Sequence, residues 1–151
     1  MSVCNPALVS LRAAAPGDRE FLWWLHRETM GDYVRQTWGW DDGWQRRRFD
    51  ENFDPMQLQI VEYEERAIGC ISVRYPGSEI FLAVIEIAPS FQRHGIGGFV
   101  IGNVLEDADR LQLPVKLSVL KVNPVRTLYE RLGFQHAGET ATHYSMKREP
   151  L

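Results

Sequence analysis

The chain has 151 residues, of which 44% are apolar and 25% charged, the proportions of an ordinary compact domain. That length buries about 70% of the surface the unfolded chain exposes, so a core needs no disulfide or metal to form. Seventeen Lys and Arg against 20 Asp and Glu leave a net charge of −3. This excludes nucleic-acid binding driven by bulk positive charge, though not a small basic pocket for a phosphate. The two cysteines, Cys4 and Cys70, are too few for a disulfide scaffold or a cysteine-built zinc site. Cys70 stands in an apolar run and reads as a buried thiol.

Met1 to Ser10 carries neither the basic stretch nor the apolar segment of a signal peptide. The longest apolar run, Ile80 to Ala88, is broken by Glu86 and falls far short of the ~20 residues of a spanning helix. The expectation is a cytoplasmic protein with no membrane or nucleic-acid partner and no metal. No repeat, low-complexity tract or linker interrupts the chain, which predicts a single domain over residues 1–151. All five tryptophans fall between Trp23 and Trp44.

In chain order, Leu8 to Ala13 alternates as a short strand. Pro16, Gly17 and Asp18 then form a turn, with Asp18 as a helix N-cap candidate. From Asp18 to about Thr37, Phe21, Leu22, Trp24, Leu25, Met30, Tyr33 and Val34 recur at helical spacing, and Gly31 is expected to divide the region into two helices. Trp38 to Gly43 reads as a loop and Gln45 to Phe49 as a polar helical or irregular turn. Met56–Tyr63, Ala67–Tyr75 and Glu79–Ala88 read as strands, joined through Glu64-Glu65-Arg66 and Pro76-Gly77-Ser78. Such short connections predict an antiparallel meander. Ile96, Phe99, Val100, Val104, Leu105, Ala108 and Leu111 form one helical stripe, and Val115–Leu120 is a strand. Asn123 to Leu132 reads as a helix with Asn123 as N-cap, Pro124 at its first position and Gly133 as a left-handed stop. Phe134 to about Lys147 holds two more short strands. The order β-α-α-β-β-β-α-β-α-β-β predicts an α/β (α+β) mixed, mostly antiparallel sheet of about seven strands with helices on both faces.

The most informative stretch runs from Ile85 to Gly98: a strand, a tight turn, then glycines opening a helix. Such a geometry aims free backbone N–H groups and the helix dipole at one anion, and glycine lets the backbone approach it closely. Arg93 and His94 add charge beside it. The dinucleotide fingerprint would need glycine where Val100 stands, and the nucleotide P-loop would need Gly-Lys-Ser/Thr, which is absent. What remains is Gln92-x-x-Gly95-x-Gly97.

This pattern resembles the pyrophosphate-holding motif of the GNAT N-acetyltransferase superfamily, (Gln/Arg)-x-x-Gly-x-(Gly/Ala), found between that family's fourth strand and third helix. Asn123-Pro124 through Leu128-Tyr129, Gly133 and Phe134 resembles its second signature, one helix and one strand further on. The resemblance covers most of the chain from Leu8 onward. It implies acetyl-CoA as co-substrate, held by Gln92, Arg93, His94, Gly95, Ile96, Gly97 and Gly98, with backbone groups around Ile85 and Ile87 pairing with the pantetheine arm between the splayed fourth and fifth strands. A strand N–H near Ile87 is then the oxyanion donor.

Tyr129 matches the position where many members place the general acid for the CoA sulfur, and a phenol stays protonated at pH 7. It also lies on a face with Val125, Leu128 and Leu132, as a core aromatic would. Asn123 matches a residue that caps this helix and often contacts the cofactor arm. Glu86 is a carboxylate inside an apolar strand, where desolvation raises its pKa toward that of a useful base. The competing reading is a structural ion pair with Arg46, Arg47 or Arg48. Cys70 has no histidine near it in sequence, which gives no support to a cysteine nucleophile. His136 and His143 read as surface or edge-strand residues.

The resemblance places the acceptor at the first two helices, where the tryptophans lie. Trp38, Trp40, Tyr33 and Glu28 are the substrate-binding candidates, as an aromatic slot or amine cage. Trp24, and Trp38 beside it as a packing candidate, together with a core count of at least two tryptophans, form the plainer reading. The implied activity is direct acetyl transfer to a primary amine of a small molecule or peptide. The alternatives are a non-catalytic acyl-CoA sensor of the same fold, or transfer of a longer acyl chain or to oxygen. A homodimer is compatible with the resemblance.

Overall fold

The structure is a computed structural model that describes residues 4–151. The first three residues of the Met1–Ser10 stretch lie outside the described residues. Seven strands form one mixed sheet in the order β1-β2-β3-β4-β5-β7-β6. Within it the chain divides into two compact units, one through Ser72 with Val84–Ile96, the other Val73–Ala83 with Gly97–Leu151.

The first unit holds β1 (Val9–Ala13), α1 (Arg19–Trp38), α2 (Asp42–Asn52), β2 (Gln59–Tyr63), most of β3 (Arg66–Arg74) and the closing half of β4 (Ile80–Ile87). β1 and β2 pair antiparallel from Val9↔Tyr63 to Ala13↔Gln59, and β2 pairs antiparallel with β3 across a bulge at Val61/Glu62. The β2–β3 turn puts Glu64 and Glu65 at φ 51° and 64°. That is the left-handed pair a two-residue hairpin needs, here imposed on two residues that do not favour it. α1 is one continuous helix of 20 residues, not two. A single glycine lowers helix propensity by only about 1 kcal/mol, and buried Gly31 sits inside a long packed helix. Asp18 turns its carboxylate back to the Ala15 N–H at 2.8 Å and to Arg12 at 2.9 Å, and so does not cap α1 as expected. Asp41 does cap α2, accepting from Trp44 N–H at 2.9 Å. α2 is therefore a helix of 11 residues, the longer form of the polar helical or irregular turn expected at Gln45–Phe49. Met56 stands in a 3-10 turn (Pro55–Gln57) before β2. Leu22 and Leu25 of α1 pack on Ile60, Cys70 and Ala88, with Phe49, Phe53, Leu58, Val84 and Phe91 around them. Each such buried leucine contributes about 1.5–3 kcal/mol.

The second unit holds the opening half of β4, α3 (Ile96–Leu111) from Gly97 onward, β5 (Val115–Leu120), α4 (Arg126–Arg131), β6 (Gln135–Glu139) and β7 (His143–Arg148). β4 and β5 are parallel, paired at Ile80↔Val115 and Phe81↔Lys116. β5–β7 and β6–β7 are antiparallel. Val100, Ile101, Val104, Leu105 and Ala108 are the buried stripe of α3. Asp109 holds the nearly buried Arg148 through two hydrogen bonds, at 2.8 and 3.2 Å. No helix among the described residues is long and apolar enough to cross a membrane.

Candidate functional site

β4 ends at Ile87, and the chain reaches α3 through a 3-10 turn (Pro89–Phe91) and a short loop. Two residues of that loop are left-handed, Arg93 at φ 63° and Gly95 at φ 87°. Gly95 adopts this conformation without a Cβ penalty, whereas exposed Arg93 adopts it with one. The Gln92 side chain donates from Nε2 to the Ile87 carbonyl at 2.8 Å, closing the loop onto the strand it leaves. Gln92 thus shapes the cradle from below. The His94 carbonyl accepts from Cys4 N–H at 3.1 Å. The α3 helix then presents its first N–H groups, and nothing among the described residues lies within 4 Å of a Cβ built on Gly97. The arrangement is a turn, a helix N-terminus and open space, which suits a diphosphate.

The strand leading into this loop is set by β3. Ala88 N–H donates to the Ile68 carbonyl at 2.7 Å. Because N–H groups alternate sides along a strand, those of Ile85 and Ile87 point away from β3. Gly69 makes the close approach possible: a Cβ there would lie 2.5 Å from the Glu86 carbonyl oxygen and 2.8 Å from Ile87 Cδ1. Cys70, next along β3, and Glu86 then meet across the strands.

Glu86 is the centre of a polar cluster inside the first unit. Its side chain is 10% exposed; Oε2 lies 3.1 Å from Nδ1 of His26, on α1, and Oε1 accepts the Cys70 thiol at 3.8 Å. The expected ion pair with Arg46, Arg47 or Arg48 is not its partner. Arg46 instead bonds Glu20 at 2.6 Å and Asp50 at 3.0 Å and lies over the rings of Trp23 and Phe49. Burial pulls the His26 pKa down, but the hydrogen bond and charge of Glu86 outweigh it and leave His26 above its ordinary 6.5. Burial, with the Glu86 carboxylate beside it, pushes the Cys70 thiol well above its usual range. Cys70 is therefore a protonated donor and no nucleophile at neutral pH.

Aromatic rings surround this cluster. Trp23 stacks on Trp40 at 6.0 Å, and both rings lie near His26, at 6.4 and 6.3 Å. Trp40 Nε1 donates to Asp42 at 3.2 Å. Among the tryptophans Trp23 alone is buried, while Trp24 is 45% and Trp38 61% exposed. The expectation that Trp24, with Trp38 as a further candidate, packs in the core and that at least two tryptophans are core is corrected accordingly: Trp23 turns inward because it shares a helix face with His26 and Arg27 packs over it. Tyr33 is half-buried two turns beyond His26 on the same side of α1, and Glu28 is exposed on another side.

In the second unit, Tyr129 is buried on α4, and burial alone pushes its phenol up to about 12. The helix ends as its sequence suggests: Gly133 is left-handed at φ 97°, Phe134 N–H donates to Tyr129 O at 3.0 Å, and Gly133 N–H to Glu130 O at 3.1 Å. The Phe134 ring packs edge-on against Tyr129 at 5.8 Å, fixing its position. Regular helix begins at Arg126, later than expected. Asn123 caps the preceding turn instead, accepting from Val125 N–H at 3.0 Å. Gly98 faces Leu128 Cδ1 at 3.9 Å.

His26 escaped the sequence reading. The available signal was the carboxylate itself: a buried Glu requires a partner, and His26 stands beside Leu25, one turn beyond Leu22, on the helix that packs against its strand.

Sheet, loop and helix together define an α/β protein whose fourth strand runs through a glycine-bearing turn into its third helix. A family model described as "Acetyltransferase (GNAT) family" matches residues 19–134, and the chain belongs to that family. Comparison with curated protein sequences finds no match. Among solved structures, the chain is similar to the PaiA N-acetyltransferase of Thermoplasma acidophilum in complex with coenzyme A, at 14% identity and a TM-score of 0.75, covering 93% of this chain and 98% of that one. It is similar to the ribosomal-protein-S18-alanine N-acetyltransferase of Escherichia coli, at 15% identity and a TM-score of 0.67, covering 93% of each. The Neisseria gonorrhoeae N-acetylglutamate synthase, complexed with coenzyme A and N-acetyl-glutamate, matches at 15% identity and a TM-score of 0.63, over 95% of this chain and 35% of that one. At these identities the likeness is one of fold.

Proposed function

We propose that the protein is an acetyl-CoA-dependent N-acetyltransferase, a single domain over residues 1–151 that passes the acetyl group directly to a primary amine of a small molecule or peptide. One observation carries the reading: the Gln92-braced loop that brings left-handed Gly95 and open Gly97 to the start of α3. The family match supports it, as do two of the structural neighbours, which were solved with coenzyme A. Arg93, His94, Gly95, Ile96, Gly97 and Gly98 hold the diphosphate, with Gln92 bracing the loop. The backbone N–H groups of Ile85 and Ile87 pair with the pantetheine arm, and that of Ile87 stabilises the oxyanion. Glu86 with its cluster forms the basic side of the site. Tyr129, neutral at its raised pKa, donates to the sulfur as the C–S bond breaks. Trp40, Trp38, Tyr33 and Glu28 border the acceptor, and Asn123 keeps α4 in register with the arm.

Free-thiol release from acetyl-CoA across a panel of primary amines, with CoA affinity measured by calorimetry, tests the reading. Transfer to at least one amine is expected, and Gly95→Leu should weaken CoA binding at least tenfold by forcing a side chain into a left-handed turn. CoA binding without transfer to any acceptor would favour the sensor instead, and wild-type CoA affinity in Gly95→Leu would refute the loop assignment.

A further inference from the structure

We propose that the atom receiving the acceptor's proton is Nε2 of His26, and that Glu86 is the positioning residue that orients and charges that ring. The inference rests on the acetyl-transfer reading and assigns the base within it. Both Glu86 oxygens are already engaged, one by His26 and one by Cys70, and the side chain is 10% exposed. An ammonium approaching the carboxylate has only that small opening to enter by. His26 is three times as open, at 32% exposure, and its Nε2 has no hydrogen-bond partner among the described residues. With the proton on Nδ1 donated to the carboxylate, the lone pair of the neutral ring sits on Nε2.

The surroundings match this role. Trp23 and Trp40, stacked on each other, present aromatic surface on the His26 side of the cluster. Such rings attract an ammonium and accept the neutral amine left after its proton is gone. The charged and titratable groups that face His26 are Glu86 from β4 and, behind it, Cys70 from β3. Arg27 of α1 and Arg46 of α2 lie over Trp23, and Arg46 is itself neutralised by Glu20 and Asp50. Glu86 therefore dominates, and the net upward shift of His26 brings it nearer a neutral working pH, where a general base is most effective.

The step balances as follows. The ammonium gives one proton to His26 Nε2, and the freed nitrogen lone pair forms a bond to the thioester carbonyl carbon, moving the C=O π pair onto oxygen. Collapse of that intermediate breaks C–S, and the sulfur leaves with the electron pair and takes a proton from Tyr129. The nitrogen's second proton restores Tyr129, and His26 releases its own to solvent. The products are the amide, free CoA thiol and one proton.

The test is the pH dependence of kcat/KM on the best acceptor of the amine panel, for wild type, His26→Gln and Glu86→Gln, with CoA affinity and melting temperature measured in each. The wild-type rate should fall on the acid side through a group above pH 6.5. His26→Gln should lose at least about 100-fold in kcat, the scale of a general base, lose that acid limb, and bind CoA as wild type does. Glu86→Gln should keep the limb but shift it to lower pH. In 15N-histidine spectra of the full chain, the neutral His26 ring should carry its proton on Nδ1, and its titration should move down in Glu86→Gln. If His26→Gln keeps the limb and stays within threefold of wild type while Glu86→Gln loses both rate and limb, Glu86 is the base and the inference is overturned. A wild-type protein that binds CoA and acetylates nothing overturns the transferase reading and the inference with it; the first outcome removes the inference alone.

Discussion

Glu86 and Tyr129 are both buried titratable side chains, and their surroundings differ in kind. Glu86, in the first unit, is tied through named atoms to a histidine and a thiol. Tyr129, in the second, is fixed by the ring of Phe134 and by the left-handed end of its helix, and its pKa rises through burial alone. The first environment couples three groups, so that a proton moved on one is felt by the others. The second keeps one proton in place over the whole physiological range. On the proposed reading, the coupled cluster supplies the base and the isolated phenol the acid.

The largest effect that would break this contrast comes from Gly69→Val. Its Cβ would collide with the Glu86 backbone at 2.5 Å, pushing β4 away from β3 and dispersing the cluster. We expect a stability loss of about 1–3 kcal/mol, read by thermal unfolding, together with nearly complete loss of transfer. A wild-type melting temperature and rate would show that the cluster does not depend on the close strand approach.

Tyr129→Phe is expected to lower kcat by about 100-fold, the low end for general-acid catalysis, with CoA affinity and melting temperature almost unchanged. Among the described residues the phenol meets no charged partner that its removal would strand, whereas removing a member of the Glu86 cluster does strand others. Unchanged turnover would make Tyr129 a core aromatic and leave the basic side as the site's only proton-handling group.

The smallest effect is on stability against pH. His26 has a folded pKa above its unfolded 6.5, so protonation favours the native state. Its contribution is fully present below pH 6.5 and is lost as pH rises through the folded value. The melting-temperature gap between wild type and Glu86→Gln should therefore widen as pH falls from about 8.5 toward 6.5, since the variant lacks the partner that raises the pKa while its other ionisable groups are the same. A gap independent of pH would show that the two side chains do not share charge in the native state.

Much of this architecture was legible from local signals. The stripe Ile96 to Leu111, the strand Val115 to Leu120 and the Gly133 stop became elements with the boundaries their periodicity and punctuation indicated, because each depends on neighbours within a few residues. The same locality made the Gln92 to Gly97 loop stand out. Where tertiary packing outweighed local preference, the chain departed from its pattern: α1 runs unbroken through Gly31, and Glu64 and Glu65 take left-handed turns that two flanking strands impose. The sequence shows a crowd of tryptophans between positions 23 and 44 and one carboxylate in an apolar strand, and nothing in it connects the two. Only the fold decided that Trp23 turns inward, that Trp40 stacks on it, and that His26, 60 residues from Glu86, is its partner. A hydrogen bond between residues so far apart depends on how α1 lies on β3 and β4, and no spacing along the chain encodes that distance.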